Sequence, residues 1–458
     1  WLVNPDGTPR FTGPSPKNAA YAWARERWLG AASASGLPKP SAVPAVPALH
    51  GSVGAYYLDA WWLNKPAAGG VDMHTLPNHD WFIAHRAFFF DLSPWADEAP
   101  VDEPGQPVGG DRHALLGILR DLYDAADGGI VKIGGFPPWP YKYTTHGGAG
   151  RHEPVPTEWE FTRLISQFNA YKEADAAGLG AMANASFHMH FPLRARYAQP
   201  NAAPGPDAWR ARGFVDAEGR VSPRLFVGHY VGDYDAPSWL YKSVPAFFRD
   251  PARGRVPLGW AFNPNLADRA PQALVYAYEN ATTNDFFIAG DSGAGYLNAR
   301  ALTVRPESGL PSGLEAWTAY CTAMYRRWDM TITGFMLDGS AGASTEREFA
   351  AYRRFSPAGA GTHFERGPAV HAGLATAPER DLPDDAAAAA EVILGRAREV
   401  RGRPGFLWAR SILKSPSWYA EVSRRVQGAG PAVPVEVVDP YTFFGLIGLE
   451  HGRSPAGR

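Results

Sequence analysis

Three apolar, aromatic-rich segments of strand length each end at an acidic residue, and a helical pattern follows each of them. The carboxylates are Asp233 and Asp235 after the first segment, Asp291 after the second and Asp338 after the third. Two carboxylic acids that face one cleft can cut a glycosidic bond, because one protonates the leaving oxygen while the other attacks the anomeric carbon or activates water. Strand, acidic loop and helix in succession are typical of a (β/α) barrel, whose βα loops carry the chemistry.

Asp233 and Asp235 stand two residues apart. Residues with that spacing on a strand face the same side, so both carboxylates would enter one cleft. Repulsion between them would raise the pKa of one carboxyl, which suits a general acid. An Asp pair also forms turns and caps helices, and a helix is predicted to start at Ser238. The two roles are compatible, and a capping turn is equally the alternative for Asp338.

Three glycines fall within residues 290–296, directly after the second segment. Glycine permits unusual backbone angles and the close approach of a ligand. No lysine follows, as it would in a phosphate-binding P-loop. The pattern therefore predicts a tight substrate loop that displays Asp291 and Tyr296.

Side chains suited to binding a sugar lie near the same strand ends. Flat rings stack on the apolar faces of pyranoses, and the aromatic candidates are Trp139, Tyr141, Tyr143, Trp239 and Tyr296. The polar candidates are Glu158, His188, His190, Asn263, Asn265 and Arg410. Packing, capping or simple solvation is the alternative explanation for each of these residues.

Three other functions stay open on the residues alone. His188 and His190 fall on a predicted strand at residues 180–191, and with Asp233 or Asp235 they could ligate the metal of a polysaccharide deacetylase. A polysaccharide lyase would use Tyr296 or a histidine to abstract a proton. A carbohydrate-binding protein on a former catalytic scaffold would bind glycans without cutting them.

Composition excludes several classes of protein. The net charge is −2 and the pI about 6.7, so the chain lacks the electrostatic footprint of a nucleic-acid-binding protein. No apolar run reaches the roughly 20 residues that span a bilayer. A single cysteine, Cys321, rules out a disulfide framework. The first residue is Trp1, which fits a mature form from which a signal peptide has been removed.

Predicted strands and helices alternate from residue 86 to the C-terminus. Strands are predicted at residues 86–91, 130–136, 180–191, 224–234, 256–262, 285–291, 331–338, 405–409 and 435–438, with a strand pair near 362–374. Helices are predicted at residues 18–29, 112–126, 157–177, 238–248, 267–280, 313–328, 345–355, 384–400, 415–426 and from 441. The helix at 157–177 carries a capping-box pattern, Thr157 with Glu160.

Acidic residues at several strand ends favour a closed barrel over an open Rossmann-like sheet. The open sheet would instead place a glycine-rich phosphate loop after its first strand. We therefore expect an α/β protein with a TIM-like (β/α) barrel over residues 81–458, either regular or irregular and with seven or eight strands. Residues 1–80, rich in Pro and Ala, are expected to form an N-terminal extension or a small accessory domain.

At Gly293-Ala294-Gly295-Tyr296 the chain resembles the GxGYxYP family of putative glycoside hydrolases. The likeness extends from about Arg86 to the C-terminus. It includes residues 86–95, 135–139, 157–161, 231–235, 261–268 and 308–314. The chain departs from the motif at its end, where Asn298 and Ala299 stand in place of Tyr and Pro. The resemblance implies a barrel-type fold with a separate N-terminal portion and a carbohydrate-active role.

Together these observations predict a bacterial enzyme, secreted or periplasmic, that hydrolyses a poly- or oligosaccharide. No cofactor, bound metal, nucleic acid or membrane span is expected. The sugar, the linkage, the stereochemistry and the oligomeric state stay open.

Overall fold

The computed structural model describes residues 3–29, 51–57, 79–99, 103, 105–135, 144–145, 150–173, 184–232, 237–430 and 434–452. Contacts divide the chain into two compact units. Unit 1 comprises Trp1–His190 and Tyr296–Tyr320, and unit 2 comprises Phe191–Gly295 and Cys321–Arg458.

Unit 1 contains a four-stranded parallel sheet with the strand order β2-β1-β3-β4. Its strands are β1 (Gly51–Tyr57), β2 (Phe88–Phe90), β3 (Ile130–Gly134) and β4 (Ala170–Lys172). Its helices are α1 (Pro16–Trp28), α2 (His79–Ala84), α3 (Gly110–Ala125), α4 (Pro154–Ser166) and α5 (Ala185–His188). In α3 the apolar residues recur at helical spacing and are at most 2% exposed: Leu115, Ile118, Leu119 and Leu122. They share one apolar core with residues of β3 and α4.

This sheet changes the domain division drawn from the sequence. The strands predicted near residues 86–91 and 130–136 are confirmed as β2 and β3. Both pair with β1 in the sheet of unit 1, and neither pairs with a barrel strand. The contacts group the residues up to His190 with Tyr296–Tyr320 in unit 1. Strand pairing joins segments far apart in sequence, so the local pattern could not assign these strands to a sheet.

The helix predicted at residues 157–177 is wrong at both ends. It begins at Pro154, because proline at the first helical position already has the required φ. The Thr157 hydroxyl donates to the Glu153 carbonyl at 2.8 Å, so it forms no capping box. The helix ends at Ser166, and Asn169 then adopts a positive φ of 56°, after which β4 begins.

The strand predicted at residues 180–191 is also wrong within its described part. Asn184 adopts a positive φ of 66°, and the short helix α5 follows. Asp80 holds this helix, since its Oδ2 accepts from the Ser186 N–H at 2.9 Å and from the Ser186 hydroxyl at 2.7 Å.

Unit 2 is a closed barrel, as the sequence predicted. Its strands are β5 (Leu225–Gly232), β6 (Leu258–Phe262), β7 (Asp285–Ala289), β8 (Ile332–Met336), β9 (Gly359–Thr362), β10 (Ala369–His371), β11 (Leu374–Asp381), β12 (Gly405–Ile412) and β13 (Val435–Val438). Seven of them pair in parallel in the closed order β5-β6-β7-β8-β9-β11-β12-β5. Strand β10 adds an antiparallel edge to β11, and β13 pairs with the first half of β5.

Of the helices from Phe191 onwards, the first precedes β5 and the others follow strands of unit 2 or each other. They are α6 (Pro206–Ala211), α7 (Pro237–Lys242), α8 (Val244–Phe247), α9 (Pro271–Glu279), α10 (Leu314–Trp328), α11 (Glu346–Arg353), α12 (Ala386–Glu399), α13 (Pro416–Gly428) and α14 (Pro440–His451). Residues of α12 and α13 pack on Leu225 and Val227 of β5 and on Leu407 of β12. Alternate residues of these strands therefore face the barrel interior. Among the helices described, none combines the length and apolarity needed to cross a bilayer.

Large rings fill the barrel interior where glycines make room for them. A Cβ at Gly334 would lie 2.2 Å from the Tyr230 ring, and one at Gly228 would lie 2.7 Å from Trp408. The Trp408 indole N–H donates to the Gly334 carbonyl at 2.9 Å. From the amino-terminal side of the strands, Phe444 of α14 packs on Trp408 with ring centroids 5.0 Å apart. A filled interior leaves the carboxyl-terminal strand ends as the place for a site.

Candidate active site

Five of the predicted site residues lie outside the described residues. These are Asp233 and Asp235, which follow the last residue of β5, and Trp139, Tyr141 and Tyr143. Their predicted roles stay predictions.

Asp291 and Asp338 follow the neighbouring barrel strands β7 and β8. Ser292 joins the two strand ends, because its N–H donates to the Phe335 carbonyl at 2.7 Å and its hydroxyl accepts from the Leu337 N–H at 3.0 Å. Ser292 adopts a positive φ of 49° in making this turn. Both carboxylate residues are only 4% exposed. The structure thus brings two of the predicted carboxylates to adjacent positions on the same barrel end.

The Asp338 carboxyl has an unusual acidity. Burial, with a smaller contribution from the nearby charge of Glu365, raises its pKa from an ordinary value of 3.8 to about 6. The Phe364 N–H donates to Asp338 Oδ1 at 3.2 Å and opposes part of this rise. A carboxyl with such a pKa keeps a substantial protonated fraction in mildly acidic solution, as a general acid must.

Glu379, near the end of β11, is a rim residue that the sequence analysis missed. It is 6% exposed. Arg410 of β12 lies beside it, with 3.7 Å between Arg410 Nε and Glu379 Oε2, and Arg410 Nη1 also lies 2.9 Å from Asp381 Oδ1. The guanidinium stabilises negative charge on both carboxylates. Arg410 was expected to bind a carboxylate or orient an acid, and it contacts two acids of its own chain.

His363 and Glu365 follow β9 on the same rim. His363 Nε2 lies 3.4 Å from Glu379 Oε1, and burial, followed by the charge of Arg410, lowers the His363 pKa to about 4. This imidazole is therefore neutral at pH 7. Glu365 accepts from the Thr362 hydroxyl at 2.9 Å and lies 2.8 Å from His371.

One sequence signal would have located Glu379. Residues 374–377 are apolar or small and are followed by Glu379 and Asp381, which repeats the pattern of an apolar strand with acids at its end. Pro378 obscured it, because proline removes a backbone donor and argues against a paired strand. The predicted strand pair near 362–374 consequently ended too early.

Asn263 and Asn265, after β6, are both buried and hydrogen-bond to each other. Asn265 Nδ2 donates to Asn263 Oδ1 at 2.5 Å, and Asn263 also caps the short 3₁₀ helix Pro264–Asp268. Trp239 lies half-buried on α7. Asn263 thus has a capping role, and the predicted sugar-binding roles of both asparagines stay predictions.

Glu158 and Tyr296 both contact Lys172 of unit 1. Glu158 forms an ion pair with the buried Lys172 ammonium. The same ammonium lies 4.2 Å from the centroid of the Tyr296 ring, and the backbones of Lys172 and Tyr296 form an antiparallel bridge. These contacts hold Tyr296, at the end of the glycine-rich loop, against β4.

His188 and His190 do not share a strand face. His188 ends α5, His190 lies in the following turn, and both are exposed. In the described part of the chain, no group of three or more His, Cys, Asp or Glu side chains is arranged to hold a metal ion. The predicted partners of the histidines, Asp233 and Asp235, lie outside that part.

The comparison with known proteins agrees with this barrel. Residues 224–447, which run from β5 into α14, match the family model described as the GxGYxYP putative glycoside hydrolase C-terminal domain. This confirms the family recognised from the sequence. No curated protein matches the chain significantly.

A solved structure of a putative hydrolase from Bacteroides thetaiotaomicron is similar in fold. It aligns with a TM-score of 0.54 at 17% sequence identity over 80% of this chain. The chain covers 63% of that protein's length. At this identity the similarity concerns the fold alone.

Proposed function

We propose that this chain, which belongs to the GxGYxYP family through residues 224–447, is a glycoside hydrolase that cuts a poly- or oligosaccharide. The observation that carries the proposal is Asp338, a buried acid with a pKa of about 6, at a barrel strand end beside a second carboxylate. Glycoside hydrolysis needs this combination, since one acid must donate a proton while another group remains ionised.

Asp338 is the proposed general acid. Asp291 is the first candidate for the nucleophile or base, because the Ser292 hydrogen bonds hold its strand end beside that of Asp338. Glu379 is the second candidate, since Arg410 stabilises its negative charge. Asp233 and Asp235 remain candidates through their position after β5. A separation of about 5–5.5 Å between the working carboxyls corresponds to retention of configuration, and about 6.5–9.5 Å to inversion.

Product analysis on a panel of poly- and oligosaccharides tests the activity. The expected result is new reducing ends, which purified chain produces and heat-denatured chain does not. Binding of a glycan without any product after long incubation would identify a carbohydrate-binding protein instead. An unsaturated product that absorbs in the ultraviolet would identify a lyase, and loss of acetyl groups would identify a deacetylase.

Single variants test the residue roles. Asp233→Asn, Asp291→Asn and Asp338→Asn should each lower turnover at least about 100-fold, the usual contribution of acid–base groups. The matched control is Asp439→Asn. Asp439 is also buried with a raised pKa, but it caps α14 through the Thr442 N–H at 2.9 Å. Full turnover in all three of these variants would refute this assignment while leaving the activity itself intact.

The proposal includes secretion or a periplasmic location, because an enzyme reaches a polymeric substrate outside the cytoplasm. To check this, the cells are fractionated and an antibody against this chain detects it in each fraction. Recovery in the cytoplasmic fraction alone would contradict it.

A further inference from the structure

A cavity of about 390 Å³ lies in unit 2 beside the first residues of β12. Strands β11 and β12 pair only from Glu379–Trp408 to Asp381–Arg410. Before that point, the Gly405–Leu407 edge of β12 lines the cavity instead of pairing with β11. Residues 366–368, Pro378 and Arg380 of β11, and the end of α12 complete its lining.

The lining of this cavity is strongly cationic. Five arginines and a single glutamate, Glu399, contribute to it. We call it the arginine pocket, after Arg366, Arg380, Arg396, Arg401 and Arg403. Arginine is the cationic side chain best suited to paired hydrogen bonds with oxyanions.

Among the described residues, Arg396 alone of the five has a carboxylate partner within 4.0 Å, and Arg401 donates to the Val400 carbonyl at 3.0 Å. Arg396 lies 3.6 Å from Glu399, and Arg380 donates to the backbone carbonyl of Glu379 at 2.9 Å. Within the described residues, no carboxylate lies within 4.0 Å of Arg366 or Arg403, both of which are exposed. Like charges around one cavity repel each other, and an anion between them would relieve that repulsion.

We infer that the arginine pocket binds a small ligand that carries a phosphate or sulfate ester. Guanidinium groups donate paired N–H bonds to tetrahedral oxyanions, and five arginines line this one space. The volume falls within the usual range of about 300–1,000 Å³ for small-molecule sites. This inference does not depend on the hydrolase proposal, because the pocket shares none of its lining with the proposed acid and base.

Isothermal titration with pyrophosphate and with inorganic sulfate tests the inference at constant ionic strength, with sodium chloride as the reference salt. The wild-type chain should bind pyrophosphate and show a higher melting temperature in its presence. The double variant Arg366→Ala with Arg403→Ala should bind at least tenfold more weakly. Equal stabilisation by chloride, or equal pyrophosphate affinity in the double variant, would overturn the inference.

The matched control removes the same charge elsewhere. Arg249 and Arg347 are exposed arginines of unit 2 outside the pocket, and the variant Arg249→Ala with Arg347→Ala should bind as the wild type does. Circular dichroism and melting without ligand verify that both double variants are folded. Glucose 6-phosphate and glucose 6-sulfate then distinguish a phosphate ester from a sulfate ester as the ligand. Binding of neither ester, with pyrophosphate bound, would restrict the site to inorganic anions and overturn the ester assignment.

Discussion

Replacing Asp338 with asparagine should stabilise the protein at neutral pH while it removes activity. The Asp338 carboxyl titrates near 6 in the folded chain and near 3.8 when exposed to water. Each unit of difference corresponds to about 1.4 kcal/mol, so the buried charge costs about 3 kcal/mol of unfolding free energy once it is fully ionised. Asparagine has no charge to bury, and its Oδ1 can still accept from the Phe364 N–H.

The sign of the pH dependence follows from proton binding. Between about pH 4 and pH 6 the folded state binds more protons at this site than the unfolded state, so the wild type loses stability as pH rises through that window. Below pH 4 both states hold the proton, and the variant and the wild type should be nearly equal. Above pH 6 the variant should be more stable by about 3 kcal/mol, which is roughly 6–12 °C in melting temperature for a domain of 150–250 residues.

Calorimetry or urea unfolding of both proteins from pH 3.5 to pH 8 measures this difference. Asp439→Asn should show the same trend, because burial also raises the Asp439 pKa, yet it should retain turnover. A stability difference at Asp338 that stays constant with pH, or a variant less stable than the wild type at pH 8, would refute the reasoning. In the wild type, turnover should fall as pH rises above about 6, because the proposed acid then loses its proton.

Three further substitutions test the rim, the barrel packing and unit 1. Glu379→Gln should lower turnover about 100-fold with little change in melting temperature, as measured by product release and calorimetry. Gly361→Ala would place a Cβ 1.9 Å from the Gly334 carbonyl, so it should lower the free energy of unfolding by more than about 3 kcal/mol or prevent folding. Its control, Gly395→Ala on α12, adds a Cβ in open space and should raise the free energy of unfolding by about 0.5–1 kcal/mol. Urea unfolding measures both. Lys132→Met leaves its buried partner Glu173, 2.7 Å away, without this cation. The free energy of unfolding in the same assay should fall by about 3–5 kcal/mol. Adding Glu173→Leu to this variant should restore much of the loss.

Local patterns predicted most of the barrel strands because those strands are apolar and bounded by turn residues, whereas the bounds of β9 and β11 were missed. The strand predicted at residues 331–338 is β8, and that at 285–291 is β7. Strand-end acids were recognisable because a parallel barrel places them after the last apolar residue. The periodic apolar face of α3 was equally clear from the sequence.

The errors arose where distant contacts overrode local preference. Residues 168–172 continue an apolar pattern after a helix, but β4 forms because β3 offers it a strand edge. His188 and His190 were placed on a strand, although Asn184 turns the chain and Asp80 anchors the helix that follows. Strand β3 is distant from β4 in sequence, and Asp80 is distant from the helix that it anchors. A rule that considers only neighbouring residues could therefore include neither contact.

By itself, the sequence determined the closed α/β barrel of unit 2, the likeness of residues 224–447 to the GxGYxYP family, and the placement of Asp291 and Asp338 at strand ends. Only the tertiary structure decided that β1–β4 form a separate sheet, that Arg410 faces Glu379, and that burial raises the pKa of Asp338. Propensity and periodicity act within a few residues and can be read along the chain. Pairing, burial and charge contact depend on segments that meet only after the chain has folded.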